Sequence, residues 1–591
     1  MKINLDFYKE KQEELEPIEE EIIEKIKQTN PDRYYEEMKK DTRTEVICAL
    51  SETRKNILSW YPFKENANIL EIGANFGELT GLLCEKATKV VAIESSLKKA
   101  KAIEKRYKEK NNVEIIVGNI ANIKLQEKFD YITLIGTLEN INKIFSGTVQ
   151  EFLQLLKMYL KNDGKFIIAV DNRLGMKYFS KTDKTGINVT NEVGKKLYTL
   201  EEVTKILEGT GLAKQKIYYP MPDYKLTNVI YTDSKPLSKN NLSRNIIYNS
   251  EDTIRFYEEN QAYREILKED SSTFKLFANS YLIEIGNENL DGEEIRFVSF
   301  SNMRKPEYKI KTIMERENVY KYPVNNQSKQ HIENIKQNID IMTNSNIKTV
   351  DSYDDNRIIS RYTEAFTLDK IIMNYIKQDK NQEAILLIER FKNELDEKLE
   401  KSDSTNNVFD KYEIQYDVKN IENMKFVKYG LWDLIFQNCF YISDEFYFYD
   451  QEWREEKVPI NFILYRAIKY FTRIKKYISD EKLYEMMNIE KEQIKLFDEL
   501  DDKIQGKLRN ELMWKLHTQG IDVIDLKRNE LTANHQINLL TIQDAQNKVL
   551  IEQKDKEIEE LKKKLNYVYN SKSWRITRPL RKILKLGRKN K

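Results

Sequence analysis

Residues 69–77 read Ile69-Leu70-Glu71-Ile72-Gly73-Ala74-Asn75-Phe76-Gly77, and this stretch decides the fold. A mostly apolar run from Asn68 to Ile72 carries one acid, Glu71, and breaks into two glycines. The run has the composition of a parallel strand buried on both faces. Gly73 and Gly77 let the chain turn tightly and let backbone approach a ligand closely. A second apolar strand, Val90-Val91-Ala92-Ile93, ends in Glu94. In doubly wound α/β folds an acid at the tip of the second strand accepts hydrogen bonds from ribose hydroxyls, and ligands sit at the carboxyl ends of the strands. The pair predicts an adenosine-type cofactor.

Outward from this stretch, strands at 68–72, 89–93, 113–117, 129–135 and 165–170 alternate with helical patterns, which predicts a parallel sheet. Residues 1–60 are charged and helical, with Glu-rich turns from Glu10 to Glu24, and read as a lid. From about 240 the pattern changes. Ile295 to Ser301 roughly alternates, Asn302-Met303-Arg304-Lys305-Pro306 turns, and Tyr308–Met314 and Val319–Tyr322 read as strands. A helix is expected from about 326 to 342, and 367–400 and most of 461–520 are helical. Ile551, Ile558, Leu561, Leu565 and Val568 fall at a/d spacing, about three heptads of coiled coil. Such a length is marginal alone, so oligomerisation together with the preceding domains is expected. After Asn570 the chain holds nine Lys/Arg and no acid, interspersed with Trp574, Ile576, Leu580, Ile583, Leu584 and Leu586. That is a basic amphipathic tail suited to an anionic membrane surface, where each cation contributes on the order of 1 kcal/mol.

Composition sets bounds. At 591 residues the chain should form several domains. It balances 98 basic against 96 acidic residues, which argues against a nucleic-acid partner. The three cysteines, Cys48, Cys84 and Cys439, have no metal-site spacing. With no secretory signal pattern and no apolar stretch of membrane-span length, the cytoplasm is the expected compartment. Histidine is confined to His331, His517 and His535, so catalysis in the first 330 residues has no histidine base from that segment.

The spacing Glu71-x-Gly73-x-x-x-Gly77 departs from the G-x-G-x-x-G of dinucleotide folds and resembles motif I of class I S-adenosylmethionine (SAM) methyltransferases. The resemblance covers about residues 45–235. It includes Leu50-Ser51 to Trp60-Tyr61-Pro62-Phe63, Gly118-Asn119-Ile120, Leu134 to Glu139, Asp171 to Phe179, and Tyr219 to Lys225. These segments are similar to a bacterial subgroup associated with cell-surface polysaccharide modification. The resemblance implies that Gly73, Asn75 and Gly77 cradle the methionine part of SAM, with Gly136 in the same cofactor site. It implies that Glu94 takes the ribose hydroxyls and that Asn119 and Ile120 face the adenine. Asn119 stands where relatives often carry Asp. Glu71 either accepts from the cofactor amine or caps the loop. Phe76 replaces a small residue and is expected to narrow the pocket. Ser180-Lys181-Thr182-Asp183 stands where the subgroup often shows an acidic-His pair.

The acceptor is limited by chemistry. A sugar hydroxyl needs a base, whereas an anionic phosphate monoester needs mainly proximity and orientation. A histidine-free domain leans toward phosphate, with Arg173 and Lys177 expected to hold the anion. Asp171, Asp183 or Asp223 would serve as base for a hydroxyl.

A second constellation lies within residues 426–453. Asp433 and Asn438 are five apart, as in the kinase loop D-L-x-x-x-N. Asp450 follows an apolar strand, where kinase-like phosphotransferases place a Mg²⁺ ligand. Lys321 lies on the third strand of an N-lobe-like layout, and Glu333 on the next helix is the expected ion-pair partner. The region resembles the aminoglycoside-phosphotransferase and protein-kinase superfamily. That implies ATP and Mg²⁺, with Asp433 catalytic, Lys321 and Glu333 at the nucleotide, and Asn438 and Asp450 at the metal. Leu431 replaces the catalytic-loop His, Asp-Gln-Glu replaces Asp-Phe-Gly, and the phosphate-covering loop 302–306 has no glycine.

The expected architecture is α/β. It comprises an N-terminal helical lid (1–45), a Rossmann-like SAM methyltransferase domain (46–237), a bilobal α+β kinase-like domain (238–480), a helical extension (481–545), a coiled coil (546–569) and a basic tail (570–591). The order resembles bacterial bifunctional enzymes that cap lipid-linked O-antigen chains, and Ser573 to Arg581 looks like the end of many polysaccharide glycosyltransferases. The expectation is an enzyme peripheral on the inner face of the cell membrane. Its substrate would be a lipid-linked or surface glycan, with a glycosyltransferase partner and homo-oligomers formed through the coiled coil. One alternative is a sugar O-methyltransferase with an inert pseudokinase. Another is a non-catalytic scaffold for glycosyltransferases.

Overall fold

The computed structural model describes residues 1–9, 15–183, 196–249, 253–256, 258–267, 273–519, 521–522, 530–578 and 581. It divides into two units, Met1–Ile521 and Asp522–Lys591.

The apolar run around residue 70 forms strand β2 (Asn68–Ile72), flanked in sequence by β1 (Lys2–Asn4), β3 (Lys89–Glu94), β4 (Val113–Val117), β5 (Phe129–Ile135) and β6 (Leu160–Asp171). These six strands pair in parallel in the order β1-β4-β3-β2-β5-β6. Side chains alternate between faces: Leu70 and Ile72 join one core with Val91 and Phe166, and Ile69 joins the other with Val90 and Tyr131. Burial on both faces is what a continuous apolar strand requires. The start of the chain is not purely helical as expected, because Lys2–Asn4 adds an edge strand beside β4. Helices Pro17–Gln28, Tyr34–Lys40 and Thr44–Leu50 follow it.

The sheet does not stop at the expected boundary of 237. Ser280–Gly286 inserts antiparallel between β6 and Lys214–Met221. Lys214–Met221 pairs with Val229–Thr232, which pairs in turn with Phe297–Phe300. From there the ladder runs through Ile310–Met314, Asn318–Pro323, Ile358–Arg361 and Asp351–Tyr353. Among the described residues, fourteen strands thus share one sheet. The physical reason is pairing: Val229–Thr232 is bonded along both edges, so the regions before and after residue 237 meet inside a hydrogen-bond ladder. Helix Lys329–Asn344 and the helices from Leu368 to Leu508 enclose a separate core that includes Ile335, Phe391, Val427 and Phe497.

In the second unit, Glu530–Asn570 is one helix, so the expected boundary at 545 falls inside it. Ile551, Ile558, Leu561, Leu565 and Val568 are exposed along it. Helix Lys572–Ile576 follows, and the Arg581 guanidinium lies 3.5 Å from the Trp574 ring centroid. Of the expected tail, Leu580, Ile583, Leu584 and Leu586 lie outside the described residues. Among the described residues, no helix is long and apolar enough to cross a membrane.

Candidate functional site

At the carboxyl end of β2 the chain turns through Gly73 (φ +76°) and Asn75 (φ +49°). A side chain at Gly73 would be strained there, and its Cβ would stand 3.2 Å from Thr137 Oγ1. The amide of Asn75 donates to Glu94 Oε2 at 2.8 Å, and that of Ser96 donates to Oε1 at 2.9 Å. Glu94 therefore fixes the motif I loop from the neighbouring strand. Glu71 accepts from Thr80 Oγ1, at the start of the following helix, at 2.6 Å. Arg54, Glu71, Gly73, Ala74, Asn75, Glu78, Leu79 and Ile135 line the resulting cleft.

The electrostatics are one-sided. Glu71 and Glu94 are buried, and neither makes an ion pair among the described residues. Burial pushes the Glu71 carboxyl up to about 8 against the Thr80 hydrogen bond. Burial also raises Glu94, opposed by Lys99 and by its backbone donors. Arg54 and Lys99 lie near enough to lower Glu71 and Glu94 but do not outweigh burial, and a further cation in the cleft would favour their ionised forms. SAM, with its sulfonium and ammonium, fits them.

Other expected cofactor residues divide. Gly77 (φ +76°) faces Ile103 and Tyr107 rather than the cleft, so its role is packing. Gly136 (φ +73°) lies past β5, where an added Cβ would stand 2.6 Å from Tyr224 OH. Asn119 spends its Oδ1 on the Ala121 amide at 2.9 Å, and Ile120 is core. Phe76 does not narrow the pocket. It is buried against the N-terminal helices with Ile22 and Val46, under the Lys99 ammonium.

Beside the cleft, the ends of β5 and β6 and the segment 221–225 bring together Glu139, Asp171, Lys177, Asp223, Tyr224 and Lys225. Lys177 Nζ reaches Asp171 at 2.6 Å and Asp223 at 3.0 Å, and Lys225 Nζ lies 3.2 Å from Asp171. Lys177 is therefore neutralised rather than free for an anion, and Arg173 pairs with Glu202 on the surface. Burial works against Asp171 and Asp223, yet Lys177 and Lys225 hold both below the ordinary range. The side chain of Asp183 lies outside the described residues. Arg54 joins cluster and cleft by donating to the Tyr224 carbonyl at 2.7 Å. Sequence reasoning assigned no role to Arg54 or Glu139. An acid three residues past Gly136, at a strand's carboxyl end, was the available signal for Glu139.

The second constellation is assembled differently. Lys321 sits on the third strand of its antiparallel run, and its ammonium bonds both Asp450 and Glu452, the latter at 2.7 Å. Glu333 is not its partner; it pairs with Lys336 at 2.7 Å one turn along its own helix. Arg304 also bonds Glu452 and lies over the Trp453 ring, and His331 stacks on Trp453. Burial opposes it, but Arg304 and Lys321 hold Glu452 well below the carboxylate range. Asp433 accepts from Arg466 Nη2 at 3.1 Å, and Asn438 Nδ2 donates to the Asp433 carbonyl at 3.2 Å.

Loop 302–306 is packed against other segments of the chain, with the Arg304 side chain reaching Glu452 beside Lys321. Asn302 is buried against Asn56 and the Thr227 carbonyl at 2.9 and 3.1 Å. The amides of Asn510 and Lys305 close the loop onto the chain near 508–510. Of the two expected Mg²⁺ ligands, Asp450 is bonded to Lys321, while Asn438 donates through Nδ2 to the Asp433 carbonyl, a bond that does not use its Oδ1. Among the described residues, no group of three His, Cys, Asp or Glu has a metal-binding arrangement.

Residues 70–168 match the family model described as "Methyltransferase domain". Malonyl-[acyl-carrier protein] O-methyltransferase of Priestia megaterium is 26% identical over 170 residues, covering 28% of this chain and 62% of that protein. Ribosomal RNA small subunit methyltransferase A of Syntrophus aciditrophicus is 35% identical over 91 residues, 15% of this chain and 30% of that one. The chain thus spans less than two thirds of these relatives' lengths. Among solved structures, a SAM dependent methyltransferase from Archaeoglobus fulgidus matches 43% of this chain and 98% of its own at 18% identity, with a TM-score of 0.28. Phosphoethanolamine N-methyltransferase 1 of Haemonchus contortus, in complex with phosphoethanolamine and S-adenosylhomocysteine, matches 46% of this chain and 52% of its own at 13% identity, with a TM-score of 0.26. The motif I turn, the acid ending β3 and the family match together identify a class I SAM-dependent methyltransferase domain in this chain.

Proposed function

We propose that this chain transfers a methyl group from SAM to a bacterial surface glycan, capping or modifying it. The observation that carries the SAM assignment is the left-handed glycine turn at Gly73, with buried Glu71 lining the cleft and buried Glu94 fixing the loop through the Asn75 amide. In this reading the Glu94 carboxylate takes the ribose hydroxyls and the Gly73–Asn75 backbone lies against the methionine part. Bound SAM supplies an electrophilic methyl on sulfur; the chain orients it and excludes water. The glycan assignment rests on the polysaccharide-associated segments, and the basic tail fits work at an anionic inner membrane surface.

For the region around Lys321 the first reading is a glycan kinase whose phosphate the methyltransferase would modify. A second reading, an inert kinase-like module, is favoured by the closed network of Lys321, Arg304, Asp450 and Glu452. Calorimetric titration decides between them. SAM should bind wild type and Asp450→Ala equally, and absence of SAM binding in wild type overturns the methyltransferase reading. ATP with Mg²⁺ bound by wild type and lost in Asp450→Ala restores the kinase; no ATP binding in wild type leaves the inert module.

A further inference from the structure

We propose that Glu139 is the general base of the methyl transfer and that the acceptor it serves is a neutral hydroxyl. The proposal rests on the methyltransferase reading above.

Position is the first argument. Gly136 turns the chain at the end of β5, and the segment it begins touches the motif I loop through Thr137, 3.2 Å from the place of a Gly73 Cβ. Two residues later Glu139 accepts from the Asp171 amide at 2.6 Å and from Tyr224 OH at 3.3 Å. One short segment thus spans from the methyl donor's cradle to a buried carboxylate at the carboxyl edge of the sheet. The cluster opens to solvent through Lys225, whose side chain is 34% exposed.

Charge is the second argument. Asp171 and Lys177 face Glu139 from the end of β6 and the turn after it, and Tyr224 and Lys225 from the 221–225 segment. Tyr178 and Tyr198 lie close enough to feel its charge. The two lysines are bound to Asp171 and Asp223, and no Lys or Arg lies within ion-pair distance of Glu139 among the described residues. Lys177 and Lys225 are spent on Asp171 and Asp223, and Arg54 donates to the Tyr224 carbonyl, so none of these three cations is free to hold a phosphate, whereas a neutral acceptor needs none. Burial, reinforced by Asp171, pushes the Glu139 carboxyl up to about 7, against the Asp171 amide and the two lysines. Asp171 and Asp223, held low, are poor proton acceptors by comparison. A base is most effective when its proton affinity sits near the working pH.

The step balances. The hydroxyl oxygen attacks the methyl carbon on the sulfonium, the C–S bond breaks with its electron pair staying on sulfur, and the O–H proton passes to Glu139 and then to water.

The test uses the full chain, SAM labelled in its methyl group, and two acceptor sets, methyl glycosides and the corresponding sugar phosphates. Wild type should methylate glycosides at a rate that rises through about pH 7. Glu139→Gln, which keeps an oxygen for the Asp171 amide, should lower kcat on the order of 10²–10⁴-fold. It should also lose that pH limb and keep SAM affinity, while Glu139→Asp recovers part of the rate. Transfer confined to sugar phosphates, an unchanged rate in Glu139→Gln, or lost SAM binding in that variant overturns the proposal. A readout needing no acceptor is infrared titration of the carboxyl band. A midpoint near 7, absent from Glu139→Gln, supports the assignment; Glu139 ionised throughout pH 5–8 refutes it. Failure of wild type to bind SAM strikes the methyltransferase reading and leaves the titration standing.

Discussion

The motif I cleft and the network around Lys321 each hold a buried acid, and they differ in what cancels the charge. At the cleft Glu71 and Glu94 meet hydroxyl and backbone donors, with Arg54 and Lys99 near them but no ion pair among the described residues. Around Lys321 the two acids Asp450 and Glu452 are met by two cations, Lys321 and Arg304. Buried charge left open is costly unless a ligand arrives, whereas a closed network is part of the fold. The proposed reading gives binding to the first region and architecture to the second.

The largest test of that contrast is Lys321→Met. If the network is architectural, removing one cation from buried Glu452 should destabilise the protein by about 3–5 kcal/mol, read by denaturant unfolding. A near-neutral effect would mean that Lys321 is held in reserve for a ligand. Next is Glu94→Ala, which removes both the ribose acceptor and the anchor of Asn75. SAM affinity should fall by at least about 100-fold, two charged hydrogen bonds' worth; a few-fold loss would move the ribose elsewhere.

A third test uses pH. Glu71 is protonated in the empty cleft below about 8. A cationic cofactor prefers the ionised form, so binding should release a proton. SAM affinity should then strengthen by about tenfold or more between pH 6 and 8, a slope that Glu71→Gln abolishes. The stability of the empty protein should move the opposite way. Its Glu71 carboxyl is raised from an ordinary 4.5 to about 8, so this group's contribution falls as pH rises through that window. The smallest effect is expected at Asn119, whose side chain caps its own turn. Asn119→Asp keeps that cap and offers adenine a charged acceptor, for a gain of roughly threefold in SAM affinity. A gain above tenfold would show that the native amide reaches the adenine.

Local pattern carried much of the fold. The five strands ending at Asp171 were legible because continuous apolar runs punctuated by Gly and Asn need no distant information. Ser280–Gly286 reads equally well as a strand, yet nothing in its residues says that it pairs with β6 across more than a hundred positions. The cofactor loop was legible for the same local reason, while Gly77 and Phe76 were assigned to the cleft and belong to packing. Side chains are aimed by tertiary contacts, which spacing does not encode. Glu333 illustrates this. A helical acid after Lys321 was the natural partner by position, but a nearer pair, Asp450 and Glu452, reaches the ammonium first. Arg54 had no signal at all, since its role depends on the Tyr224 carbonyl, 170 positions away.

Val229–Thr232 is bonded along both edges, and this bears on how such a protein can be inherited or dissected. Cutting the gene near 237 would strip Ser280–Gly286 from between β6 and Lys214–Met221 and leave Val229–Thr232 as a bare, apolar margin. Exposed margins of that kind recruit other chains. Shuffling either half into a new fusion therefore carries a solubility penalty, and selection should transmit residues from β2 to Asp351–Tyr353 as a single heritable block.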